Sequence, residues 1–214
     1  MVKARRRFKA AATLAFVLAL GSTNVPSAHA TVMREVPLES LVRDSDLIVR
    51  GTVERVGVRL EVSGPAAEPH TIVLLRVREW LKGAGDDVVR IEELGGTTPQ
   101  GIGTWIDGTP RYRAGEDVVV FLRRTDDGSL RTYAMCQGHF EVRHGVGEAT
   151  DVVVRDLSAI GLASWERGPM TVSEGGRRAM PLEAFLDYVR DTAAQVAALP
   201  DGSGESTQSL GGGR

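Results

Sequence analysis

Hydrophobic and polar residues alternate along residues 46–83, and the phase of that alternation changes partway. Leu47, Val49 and Val53 occupy odd positions, whereas Val56, Val58, Leu60 and Val62 occupy even ones. Strand side chains point to the two faces in turn, so an uncorrected shift of one residue would turn the second half outward. A β-bulge near residues 54–55 predicts the correction, because one extra residue bends the strand and returns the apolar set to the core. Two prolines in residues 64–69 mark a turn. A second strand follows from about His70 to Leu81, with Val73, Leu75 and Val77 inward. A long, bent first strand suits a small closed barrel, where one strand serves both halves of the wall.

The remaining pattern adds strands and two helical segments. Leu38, Leu41 and Val42 stand at helical spacing in a short helix or turn over residues 37–42. Val89 and Ile91 face inward from a strand over 88–94. Residues 117–122 form a continuous apolar run, the pattern of a strand buried on both faces. Asp127-Gly128 supplies the left-handed positions of a hairpin turn leading to a return strand over 130–135. Further strands are predicted over 139–143 and 152–154, after a bend at Gln137-Gly138. Residues 157–180 read as irregular. A helix opens at Pro181, and Leu182, Phe185, Leu186, Val189, Ala193 and Val196 form its apolar stripe. The predicted fold is mainly β: an OB-like antiparallel barrel of five to six strands, with a short N-terminal helix or turn and a C-terminal helix. Residues 31–157 hold the barrel, 158–198 an irregular segment plus the helix packed on it, and 199–214 a Gly/Ser-rich tail expected to be disordered.

Charge and composition change the picture at the N-terminus. Residues 1–30 carry a basic start (Lys3, Arg5, Arg6, Arg7, Lys9), an apolar run and Ala28-His29-Ala30, the pattern of a signal peptide cleaved after Ala30. The apolar run is too short to span a bilayer, so no stable membrane anchor is expected, and the mature chain would be secreted or periplasmic. Arg5-Arg6-Arg7-Phe8 also matches part of a twin-arginine export signal. Removing the segment lowers Lys+Arg from 26 to 21 against 28 Asp+Glu, a net charge of −7. That balance lacks the basic footprint of nucleic-acid binding. The single cysteine, Cys136, allows no internal disulfide, so stability must come from the core.

Three features are similar to the netrin-like modules of tissue inhibitors of metalloproteinases. They are Ser45-Asp46 followed by Leu47-Ile48-Val49-Arg50-Gly51, a second long strand, and the closing Leu81-Lys82-Gly83. The chain also resembles a broad set of uncharacterised secreted bacterial proteins, through the run from Gly108 to Leu122 and the later Gln137-Gly138-His139-Phe140. The resemblance covers roughly residues 38–143 and implies an OB-like barrel with a helix alongside. It also implies a secreted metalloprotease as one partner class. Those inhibitors act through an N-terminal cysteine, whereas the predicted first residue here is Thr31, so no inhibitory residue carries over.

Candidate chemistry is sparse. Residues 95–114 form a long Gly/Pro-bearing loop, and such loops inside compact domains are functional or mobile. Trp105, Tyr112 and Arg113 within it are the residue types that anchor ligands, and they are the candidate binding residues for a protein or polysaccharide. Cys136, His139 and His144 have a spacing compatible with metal ligation, with His70 as a fourth donor, if all converge within about 2.0–2.3 Å of the ion. The same residues would serve a metal-dependent or cysteine-based hydrolase. Glu92 and Glu93 are adjacent on a strand and point to opposite faces, so they cannot act as a pair. No nucleophile elbow, zinc-protease helix or phosphate loop is present. The expectation is a non-enzymatic binding module without a cofactor. An inhibitor or chaperone of an exported metalloprotease is the first alternative and the hydrolase the second.

Overall fold

A computed structural model describes residues 31–62, 67–101, 103–147, 150–165 and 168–198. The export segment read in residues 1–30 and the tail 199–214 lie outside them, as does the first half of the proline turn, residues 64–66. In chain order the elements are β1 (Val32–Arg34), α1 (Leu38–Asp44), β2 (Leu47–Val62), β3 (Ala67–Lys82), β4 (Val88–Leu94), β5 (Gly96–Thr97) and β6 (Gly103–Thr104). There follow β7 (Asp117–Arg124), β8 (Leu130–Thr132), a 3₁₀ turn (Met135–Gly138), β9 (His139–Arg143) and β10 (Val152–Asp156). The last are β11 (Gly161–Ser164), β12 (Thr171–Glu174), β13 (Arg177–Pro181) and α2 (Leu182–Ala198).

An eight-stranded sheet runs in the order β13-β10-β9-β7-β2-β3-β4, with β8 paired on β7. A smaller sheet runs β1-β11-β12, and β5 pairs with β6. The period-two alternation splits the large sheet's residues between two cores. Val49 and Val53 of β2, Val73 and Leu75 of β3, Ile91 of β4 and Val118, Val120 and Leu122 of β7 fill one. Ile48, Val119, Phe121, Phe140 and Val153 fill the other, beneath Leu41 and Val42 of α1 and Leu182, Phe185, Leu186 and Val189 of α2. The run 117–122 is therefore buried on both faces, and the stripe of α2 packs on the sheet, as the pattern implies.

The β2–β3 register shifts between Val53 and Arg55, where the bulge is expected. Beyond it, however, Val56 is only partly buried, while Leu60 is exposed and Val62 is 77% exposed. The far half of the hairpin leaves the core rather than completing a wall. The sheets are open and multiple, and no ladder joins β4 to β8. β8 is only three residues long, and a side chain spans the gap instead. Glu93 of β4 accepts hydrogen bonds from the Thr132 N–H (2.9 Å) and hydroxyl (2.5 Å). Tyr112 adds its hydroxyl 2.6 Å from the same Thr132 oxygen. Burial holds the Glu93 carboxyl above its ordinary range.

Residues 157–180 are not irregular, contrary to the reading above. β11, β12 and β13 lie there, and β13 pairs with β10 of the large sheet. These strands are four or five residues long and β12 is wholly exposed, so they carry no alternation to read. β3 also starts at Ala67, passing through Pro69 before its ladder with β4 begins at Thr71. No helix among the described residues is long and apolar enough to cross a membrane.

Candidate anion-binding cleft

The link from β1 to α1 crosses the end of the helix-covered core and is pinned there by Gln137. This side chain is 1% exposed. Its Nε2 donates to the Arg34 carbonyl, and its Oε1 accepts from the Val36 N–H, both at 2.9 Å. The preceding backbone is tightly wound. Ala134 and Met135 have φ of 56° and 57°, a left-handed conformation that costs non-glycine residues roughly 1–2 kcal/mol each. A Cβ on Gly138 would lie 2.2 Å from the Tyr133 carbonyl oxygen, so only glycine fits. The Gln137-Gly138 pair seen in the sequence thus positions a segment of backbone.

Beneath that segment, three adjacent strands present a row of side chains. Val153 of β10 pairs with Val142 of β9, and Arg155 pairs with Arg178 of β13. Phe140, two residues before Val142, therefore sits beside Arg155 on the same face. The Arg155 guanidinium lies 5.4 Å from the Phe140 ring centroid. Its Nη2 donates to the Val36 carbonyl (3.2 Å) and to Gln137 Oε1 (3.4 Å), whereas Nε has no partner among the described residues. Arg155 is 6% exposed, and no carboxylate among the described residues lies within 4.0 Å of it. Burial lowers its pKa to about 10, so it stays cationic at neutral pH. A buried charge without a counter-ion is costly, and two like charges directly opposite on a ladder repel.

This row floors a cleft of about 1260 Å³ between the two sheets. Its charged lining is Arg34, Arg43, Arg155 and Arg178 against Glu35 and Asp44. Arg43 is engaged by Asp44 at 3.0 Å, and Arg178 is 3.6 Å from Glu35. The cleft is therefore net cationic in a chain whose overall charge is −2. Trp165, half exposed, stands in its wall. Such a surface can hold an anionic group by charge-assisted hydrogen bonds.

The residues singled out from sequence do not gather in this cleft. Trp105 is 52% exposed, its Nε1 donating to Asp107 and its face covered by Arg111 at 4.1 Å. Tyr112, expected at the surface, is 8% exposed and belongs to the core, because its alternation with Arg111 and Arg113 points it inward. Arg113 lines a second, smaller cleft of about 540 Å³ with Arg78, Glu116, Asp117 and His144. Charges there are largely paired: His144 bridges Asp117 and Asp151 at 2.8 Å each, and Arg78 lies 3.2 Å from Asp117.

Cys136, His139 and His144 do not form a cluster of ligand atoms. Burial raises the Cys136 thiol to about 11 and lowers His139 to about 4, the latter packed edge-on against Tyr112. His70 does meet two carboxylates, Glu92 at 2.8 Å and Glu61 at 3.6 Å. Arg59 and Arg90 already neutralise them, so the group is an ion-pair network on the outer face of β2–β4. Glu92 and Glu93 do face opposite sides, one in this network and one toward Thr132.

Arg155 escaped notice because it follows an apolar run as if it ended a strand. Its alternation with Val153 was the available signal, since it puts the guanidinium on a core face. No protein-family model matches the chain, and no curated protein matches it either.

Proposed function

We propose that this chain is an exported, non-catalytic binding module that takes an anionic group of a protein or polysaccharide ligand into the arginine-floored cleft. The observation that carries this reading is Arg155, a buried cation with no carboxylate within 4.0 Å among the described residues, set opposite Arg178. A bound anion would offset both the burial cost and the cross-strand repulsion. The OB-like reading draws support from the β7-β2-β3-β4 ladder, with β8 brought against β4 through Glu93 and Thr132. The netrin-like resemblance adds one specific protein ligand, an exported metalloprotease.

Calorimetric titration with hexaglutamate and with a hexameric oligogalacturonate tests the anion site. At least one should bind, more weakly as salt rises, and Arg178→Ala should weaken it at least tenfold. Arg178 is exposed, so the substitution leaves the core intact. Binding indifferent to that substitution, or no binding of either oligomer, would overturn the reading.

A further inference from the structure

The lining of the cleft narrows the ligand class. Arg178, Ala179 and Met180 all contribute to it. Arg178 and Met180 share one face of β13, because strand side chains alternate, and Ala179 between them completes the border. β13 is the last strand of the large sheet; among the described residues it pairs with β10 alone. Its other edge therefore offers unpaired backbone groups, the template for an added strand. Directly beside that edge, the arginine row supplies positive charge on one face, and Met180 supplies an apolar contact two residues from Arg178 on the same face.

We infer, resting on the anion-binding reading above, that the ligand is an extended acidic peptide segment added as a strand to the free edge of β13. Backbone hydrogen bonds provide the affinity, and alternate side chains provide the selectivity. An Asp or Glu in register with Arg178 reaches the guanidinium pair, and an apolar residue two positions away meets Met180. A polysaccharide could meet the arginines but would leave the strand edge unpaired. Charge complementarity and the free edge thus favour a peptide.

Selection of a phage-displayed random octapeptide library on the folded protein, followed by calorimetry of the enriched peptides, tests this. Enriched peptides should carry Asp or Glu with an apolar residue two positions away. Their affinity should fall at least tenfold with Arg178→Ala, with amidation of the acidic side chain, and with N-methylation of alternate peptide amides. The last change blocks strand addition without altering the protein. Peptides lacking an acidic residue, or binding equally well when N-methylated, would overturn the inference. If no peptide is enriched but the oligogalacturonate binds in an Arg178-dependent way, strand addition falls while the anion site stands. If neither ligand binds, both fall.

Discussion

Glu93 is the point at which the large sheet comes nearest to closing on itself, and removing its carboxylate measures what that contact contributes. In Glu93→Ala the Thr132 N–H loses its acceptor in a buried site, which costs about 1–3 kcal/mol. The Thr132 hydroxyl can turn to Tyr112, so it adds little. Loss of the buried side chain leaves a void worth roughly 1–2 kcal/mol more. The expected destabilisation is thus about 2–5 kcal/mol, read as a lower urea midpoint at unchanged slope. Glu93→Gln keeps the accepting oxygen and the volume, and should stay within about 1 kcal/mol of the parent at neutral pH. The two should also differ in pH dependence. Burial raises the folded-state pKa of Glu93 above the ordinary 4.5, so its contribution is full below the unfolded value and is lost as pH rises through the folded one. Stability of the parent relative to Glu93→Gln should therefore fall between pH 4 and neutrality. An alanine variant as stable as the parent, or a parent that gains on the glutamine variant as pH rises, would refute the reasoning.

Phe185→Ala should cost about 3–5 kcal/mol in the same assay, since its buried ring stacks 4.9 Å from Phe140 and 6.5 Å from Phe121. Trp105→Ala should cost about 1 kcal/mol or less, because the half-exposed ring loses only Arg111 and Asp107; cooperative unfolding at much lower urea would show the ring to be core. NMR titration should find His139 and His144 shifted in opposite directions. His139 should titrate near 4, so that the unfolded state takes its proton first and this residue costs stability as pH falls below about 6.5. His144 should titrate above its ordinary value because Asp117 and Asp151 bond its ring, its contribution being lost as pH rises through the folded value. An upward shift of His139 would contradict its burial, and a downward shift of His144 would contradict its pairing with the two aspartates.

What the sequence made legible was whatever a period of two or 3.6 encodes over several turns of chain. The bulge near Glu54, the doubly buried β7 and the stripe of α2 were all readable, because each rests on a sustained apolar pattern along the chain. Closure was not readable, since it depends on whether β4 and β8 meet, a matter of tertiary spacing with no local mark. β11 to β13 were too short and too exposed for a phase to register. The cleft was hidden for a related reason: it draws on residues near 34, 140, 155 and 178, which only the sheet order brings together. The inward turn of Tyr112 had only a three-residue sign, its place between Arg111 and Arg113.

β1 lies parallel to β11, with Val32 opposite Gly161, so the first described strand finds its neighbour only near the far end of the chain. Contacts so distant in sequence are late events, because a long loop must be closed before they form. The roof over the arginines would then be the last part of the molecule to assemble.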